Sequence, residues 1–368
     1  MESEELAHRF RAMAEGSYRD VPLFRRLALA FAARPPLLDF VSSLPDQALI
    51  GGLLFSTLHY LVLADSGEAF AVAWHHEEQA PGSVADLEMG LEAFVLEHEA
   101  AISAVVGRHR GAQTNEVNRC AYLLPALAVV AAARARPLAL LEIGSSAGLL
   151  LNFDRYSYRY NRAIYHPNSA VTVVATLRGR MPRLDVPDVG WRLGVDRAPV
   201  DVADEDAARW LLANIYPGDT ERAQRTTAAI VLAREHPLPV ATGEASELVN
   251  LAQRAPDTLA LTVITTALLM YLDPSSRIDF RRAVEEIGAT RSVDWLMCEP
   301  PGVLASLGAD VSDIVMPHAT QSGFVGPVVH IATDRPEPEL LAVTGPHGRW
   351  IEWLANETSD VEATIPTS

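Results

Sequence analysis

Apolar positions along the chain change their period near residue 136. Before it they recur every three or four residues, as on one face of a helix. After it they come in short unbroken runs closed by glycine-bearing turns. The first part predicts helices at Leu6–Ala14, Leu23–Ala33 and Leu37–Leu44, separated by Pro22 and by Pro35–Pro36. Asp46–Ala64, interrupted at Gly51–Gly52, then Val84–Arg108 and Gln113–Arg134 continue the series. No alternating strand interrupts it, so residues 1–136 are expected to form an all-helical cap or substrate domain.

From Pro137 the pattern predicts buried strands at Leu138–Ile143, Trp191–Val195, Leu238–Ala241, Leu259–Thr265, Val293–Cys298 and Val328–Ala332. Helices are expected between them, at Leu149–Tyr158, Glu205–Asn214, Arg222–Glu235, Ala245–Ala252, Leu268–Tyr271 with Ile278–Ile287, and Gly302–Leu307. Alternating strand and helix implies βαβ units, hence a doubly wound, Rossmann-like α/β domain over residues 137–368 with a mostly parallel sheet. Glu339–Val343 and Arg349–Trp353 flank Thr344–Gly348 and predict an antiparallel hairpin at the sheet edge. Tyr160–Gly190 fits no simple unit and reads as an insertion with a strand at Val171–Thr176.

Composition removes several functions. The net charge is −17, with no clustered cationic footprint, so nucleic acid is not an expected partner and a small molecule is. All 30 basic residues are arginine, which excludes a lysine Schiff base and the lysine of a phosphate-binding P-loop. The two cysteines, Cys120 and Cys298, provide neither a disulfide framework nor a four-cysteine zinc site. His75–His76 beside Glu77–Glu78 lacks ligand spacing, and no metal is expected. The acidic N-terminus and the absence of a charge-free run of eighteen apolar residues predict a cytoplasmic protein without membrane contact. Nothing in the pattern sets an oligomeric state.

The chemistry-bearing segment is Leu140-Leu141-Glu142-Ile143-Gly144-Ser145-Ser146-Ala147-Gly148-Leu149. A strand runs into a glycine turn and then, by expectation, into a helix whose first amides face a polar ligand. The segment is similar to the first motif of class I S-adenosylmethionine-dependent methyltransferases, an acidic residue followed by G-x-G-x-G, with Ser146 replacing the middle glycine. The resemblance implies that Glu142, Gly144, Ser145, Ser146 and Gly148 bind S-adenosylmethionine. It further implies that Asp196, in Gly194-Val195-Asp196, holds the ribose. Glu244 and Ala245, after the third strand, would face the adenine. Thr265 and Tyr271, at the end of the fourth strand and in the turn behind it, would border the transferred group.

A second resemblance covers nearly the whole chain. Gln113-Thr114-Asn115-Glu116-Val117, Ser146-Ala147-Gly148-Leu149, Asp154-Arg155-Tyr156, Gly194-Val195-Asp196 with Pro199 and Asp201, and Pro346-His347-Gly348-Arg349-Trp350 look like a bacterial family of unknown function. It implies a methyltransferase-like fold and supplies no substrate.

Asn115 and Arg119, four apart, either reach the cofactor carboxylate or the acceptor, or pair locally. Tyr156, Tyr158 and Tyr160 either line the mouth of the loop or pack. His318, His330 and His347 are the candidate bases, and the glycine-bearing stretch 318–326 is a candidate lid. The expected function is a transferase acting on a small molecule, by methyl transfer or by another use of the sulfonium. Two other classes stand beside it. Gly144-Ser145-Ser146-Ala147-Gly148 also matches the G-x-S-x-G elbow of a serine hydrolase, with Ser146 as nucleophile, Asp273 or Glu299 as acid, and His330 or His347 as base. A non-catalytic nucleoside- or partner-binding module is the other.

Overall fold

The computed structural model describes residues 3–49, 52–109, 115–166, 168–311, 326–335 and 337–355. They divide into two compact units, 1–114 with 201–230, and 115–200 with 231–368.

The first unit is helical, with helices at Ser3–Glu15, Pro22–Ala33, Pro35–Ser43, Leu53–Ala64, Ala69–Gln79, Leu87–Glu97, Glu99–Arg108 and Glu205–Ala213. Phe10, Phe24, Phe31, Phe55 and Trp74 form its aromatic centre. Two expected helices are broken. Asp46–Ala64 splits into a 3-10 turn, Asp46–Leu49, and the helix Leu53–Ala64 behind a left-handed Gly52. Val84–Arg108 splits at His98, whose backbone leaves the helical region. The chain returns to this unit after residue 200. Trp210 and Ala213 join its core, and Trp210 stacks on His109 with ring centroids 3.8 Å apart.

The second unit carries β1 (Leu138–Ile143), β2 (Ser157–Tyr160), β3 (Ala163–Tyr165), β4 (Thr172–Gly179), β5 (Val189–Asp196), β6 (Val240–Thr242), β7 (Ala260–Thr266), β8 (Val293–Cys298), β9 (Gly326–Ala332), β10 (Glu339–Thr344) and β11 (Trp350–Trp353). They form one mixed sheet in the order β3-β2-β4-β11-β10-β9-β8-β7-β1-β5-β6. The run β8-β7-β1-β5-β6 is wholly parallel, and β8 to β11 form an antiparallel meander. The fold is therefore α/β with a mostly parallel mixed sheet, as the strand–helix alternation implies. The hairpin β10–β11 forms as expected but not at the edge, because β11 pairs in parallel with β4 and the β2–β3 hairpin lies beyond it.

Alternation along the strands sends side chains to two faces. Leu141, Ile143, Leu261, Val263, Trp295 and Met297 pack with Leu248, Phe280, Val284 and Leu304 from the helices Leu248–Ala252, Pro274–Gly288 and Pro301–Ser306. Glu142, Thr266, Asp294 and Cys298 point the other way. That face receives the buried helix Cys120–Arg134, whose last residue pairs with Asp294 at 2.7 Å. The boundary expected at 136 thus falls before 115, because this apolar helix packs on the sheet. The stretch Val117–Arg134 is long and apolar enough to cross a membrane by length and composition, and 67% of it is buried within the protein as a core element.

Candidate functional site

In the parallel run, β1 lies between β5 and β7, and the strand order reverses there. Open α/β sheets leave a crevice beyond the carboxyl ends of the strands at such a switch point. Five segments end there: the loop Gly144–Gly148, Asp196, Gly243–Glu244, Thr266–Leu268 and Glu299.

The loop turns through the left-handed region three times, at Gly144 (φ 78°), Ser146 (φ 52°) and Gly148 (φ 68°). At Gly144 a Cβ would also crowd the Leu268 side chain, meeting Cδ1 at 2.9 Å. The amides of Gly144, Ser145, Ser146 and Gly148 are spent within the protein. Gly144 and Ser145 donate to Val195 O at 2.8 and 3.1 Å, and Ser146 donates to Asp196 Oδ2 at 2.8 Å. Gly148 donates to Ser145 O at 2.8 Å, and Leu149 to Asn115 Oδ1 at 3.0 Å. The expected helix at Leu149–Tyr158 is instead a 3-10 stretch, Leu149–Arg155, kinked at Asn152 and followed by β2. A phosphate-binding helix start is therefore not built here.

Carboxyl groups gather at these strand ends. Glu142, 2% exposed, ends β1 on the face turned to Cys120–Arg134, and its Oε2 has no hydrogen-bond partner. Burial pushes its pKa up to about 8, against the pull of Arg119; Asp196 adds to the rise. Arg119 donates through Nη1 to Thr266 O at 2.8 Å and Thr266 Oγ1 at 3.3 Å. Glu299, directly after β8, is 1% exposed. Its Oε1 accepts the amides of Leu268 and Leu269 at 2.9 and 3.1 Å, and its Oε2 has no partner. Burial raises its pKa, opposed by those amides, that of Met270, and Arg119. Ser145 Oγ and Ser146 Oγ are likewise buried without partners. Buried polar groups usually have hydrogen-bond partners, and four of the unpartnered buried atoms lie around this one set of strand ends. Burial pushes the neighbouring Cys298 thiol up to about 12, which leaves it inert.

The structure gathers Asn115, Arg119, Glu142, Gly144, Ser145, Ser146, Gly148 and Asp196 into this region. Asn115 spends its amide on the loop, donating to Ser145 O at 3.2 Å and accepting from Leu149 N. Asp196 accepts from Ser146 N and from Ala198 N at 2.9 Å. Other expected residues have different settings. Glu244 is exposed and forms a capping box with Glu247 ahead of Ala245. Thr265 points to the other sheet face and accepts the Trp295 indole at 3.0 Å. Tyr271 is 77% exposed in the turn after β7. His347 is half-buried in the 3-10 turn Pro346–Gly348. Its carbonyl accepts from Asn118, which also donates to Val174 O and Gly348 O. Tyr156, Tyr158 and Tyr160 are packing residues, each donating its hydroxyl to a backbone carbonyl, of Leu149, Phe153 and Ala121. His330 is held by Asp294 at the opposite end of β8. Asp273 caps the helix Pro274–Gly288. His318 and residues 318–325 lie outside the described residues.

One feature escaped the sequence reading. Asn118 ties the turn Val117–Arg119 to β4 and to Pro346–Gly348, which explains why distant stretches resembling the uncharacterised family meet. Glu299, named from the sequence only as a candidate acid of the hydrolase alternative, joins these strand ends by a burial that no motif signals. In the helical unit, Glu68, Glu97 and His98 bring ligand-type atoms within 4.8 Å of one another. They are half-buried or exposed, a setting common to acidic surfaces.

A family model described as an uncharacterised protein conserved in bacteria (DUF2332) matches residues 7–353. No curated protein matches the chain.

Proposed function

We propose that this chain, which belongs to the uncharacterised bacterial family DUF2332, is an S-adenosylmethionine-dependent transferase acting on a small molecule, with a doubly wound, Rossmann-like binding site at the carboxyl ends of β5, β1 and β7. The observation that carries the reading is Glu142, a buried carboxyl at the switch point with an unpartnered Oε2. A buried carboxylate without a donor is costly, and a ligand ammonium supplies both the donor and the charge.

The rest of the crevice fits the same ligand class. The amides of Gly144, Ser145, Ser146 and Gly148 are already bonded, which disfavours a pyrophosphate, and S-adenosylmethionine carries none. Asp196 ends β5 beside the loop, accepting Ser146 N and Ala198 N, the strand-end position at which an acidic residue meets ribose hydroxyls in this kind of sheet. Arg119 would face the cofactor carboxylate while anchored on Thr266. Bound there, the cofactor would supply an electrophilic carbon on a sulfonium. The protein's work is to orient it, balance its charge and exclude water.

The hydrolase reading has one point in its favour, the left-handed backbone of Ser146 in a G-x-S-x-G sequence. It lacks a base, since Ser146 Oγ is buried with no hydrogen-bond partner.

The test is the melting temperature with saturating S-adenosylmethionine or S-adenosylhomocysteine, with ATP and NAD as controls. A ligand at 100 times its Kd stabilises by about 2.7 kcal/mol, which raises the midpoint by roughly 5–10 °C for a domain of this size. A rise with the adenosyl ligands alone, lost in Glu142→Gln, supports the assignment. No rise with either sinks it.

A further inference from the structure

Glu299 has a place in the site that the cofactor does not account for. Successive strands lie about 4.8 Å apart, and Glu142 lies in β1 and Glu299 directly after β8, with β7 between the two strands. Their backbones are therefore separated by roughly 10 Å across the sheet. Arg119, bonded to Thr266 at the end of β7, lies between them and acts electrostatically on each.

The two oxygens of Glu299 are unequal. Oε1 collects the amides of Leu268 and Leu269 and so fixes the turn Leu269–Tyr271. The carbonyls of that turn are held from the other side, with Arg277 Nε donating to Leu269 O at 2.8 Å. A turn clamped at both its amides and its carbonyls nevertheless exposes Met270 and Tyr271, at 41% and 77%. Oε2, with the side chain 1% exposed, makes no hydrogen bond of good geometry, although the Met270 amide lies close enough to the carboxyl to oppose the rise in its pKa. Two of the site's buried carboxyls face one guanidinium, so an ionised pair leaves one negative charge uncompensated.

We infer that Glu299 Oε2 is the charge-recognising atom of a second subsite, which binds the acceptor through a protonated amine, with Met270 and Tyr271 as the apolar surface beside it. This rests on the transferase reading for the acceptor's role, but the amine subsite itself is defined by the unbound protein. An alcohol satisfies the hydrogen bond and leaves the charge uncompensated. An ammonium satisfies both. Glu299 is a binding residue here through Oε2 and a positioning residue through Oε1.

The test compares methylamine, 2-phenylethylamine and 1,4-diaminobutane with the corresponding alcohols as additives in thermal melts. Each series is run with and without saturating S-adenosylhomocysteine. The expected result is a saturable rise with at least one amine, none with its alcohol, and at least tenfold weaker amine binding in Glu299→Gln. That variant keeps an acceptor for Leu268 and Leu269, and it should retain the S-adenosylhomocysteine shift. Equal responses to amine and alcohol, or no response to any amine, overturn the subsite. If S-adenosylhomocysteine itself gives no shift, the cofactor reading fails, and the amine comparison still decides the subsite. If Glu299→Gln does not fold, the amine–alcohol difference in the unaltered protein decides it.

Discussion

The carboxylate of Asp196, at the end of β5, accepts the backbone amide of Ser146 at 2.8 Å and so fixes the loop that leaves β1. Its other oxygen takes Ala198 N. Hydrogen bonds to charged groups contribute about 1.5–3 kcal/mol each. Asp196→Ala should therefore destabilise by about 2–4 kcal/mol, after partial compensation by solvent, and abolish the melting response to S-adenosylhomocysteine. Asp196→Asn keeps one acceptor and should lose less stability. Equal stability of Asp196→Ala and the parent protein in urea titration would remove the carboxylate from this role.

Glu142 gives the site a pH dependence of definite sign. Burial raises its pKa from 4.5 to about 8, so between those values the folded state holds a proton that the unfolded state has lost. Stability then falls as pH rises from about 4.5 to about 8. Binding of a cationic ligand runs the opposite way, because it needs the ionised carboxyl. The affinity for S-adenosylmethionine should climb up to about tenfold per pH unit below pH 8 and level off above it. Glu142→Gln should flatten that profile and stabilise the ligand-free protein near pH 8. A pH-independent affinity in calorimetric titrations from pH 6 to 9 contradicts the Glu142 assignment.

Ser146 separates the transferase from the hydrolase. Its hydroxyl is buried and unpartnered, and its φ of 52° suits glycine better than serine. A fluorophosphonate probe should leave it unlabelled. Ser146→Gly should relieve the left-handed backbone at some cost in unfolded-state entropy, for a net change within about 1 kcal/mol, and should preserve S-adenosylhomocysteine binding. Labelling that Ser146→Gly removes would reverse the functional reading.

The parallel strands β1, β7 and β8 were legible because each is a short apolar run buried on both faces, a pattern that needs no tertiary information. The break at His98 and the 3-10 stretch after Gly148 were not, since Leu149-Leu150-Leu151-Asn152-Phe153 has helical composition. What diverts it is long-range: Asn115 takes Leu149 N, and Arg192 pins Leu151 O and Asp154. The same limit hid the place of the hairpin, because β11 finds β4 through a pairing of residues more than 170 positions apart. In the site, Glu142 and Asp196 stood out by their position after strands in glycine-bearing motifs. Glu299 carries no such motif, and only the structure shows its burial against the amides of Leu268 and Leu269.

The opposite end of β8 should be a stability element independent of the site. Asp294, 1% exposed, accepts His330 Nε2 at 2.8 Å and Arg134 Nε at 2.7 Å. Burial acts against the charge on His330, but the Asp294 hydrogen bond and charge, with Glu339, outweigh it and raise the pKa. Burial likewise opposes ionisation of Asp294, and His330 and Arg134 outweigh it and lower the pKa. The His330 contribution is fully present below its unfolded pKa of 6.5 and is lost as pH rises through the higher folded value. The Asp294 contribution is present above its unfolded pKa of 3.8 and is lost as pH falls through the lower folded value. Removing one member of a buried charge pair costs about 3–5 kcal/mol, so Asp294→Ala should lose that much near pH 6. His330→Gln should lose stability at pH 6 and much less above the folded His330 pKa, where the imidazole of the parent is neutral. Because these groups lie at the far end of the strand from Glu142 and Glu299, the S-adenosylhomocysteine shift should survive in every variant that still folds at the assay temperature. Loss of the shift together with His330→Gln, in protein that remains folded, would place His330 in the functional site after all.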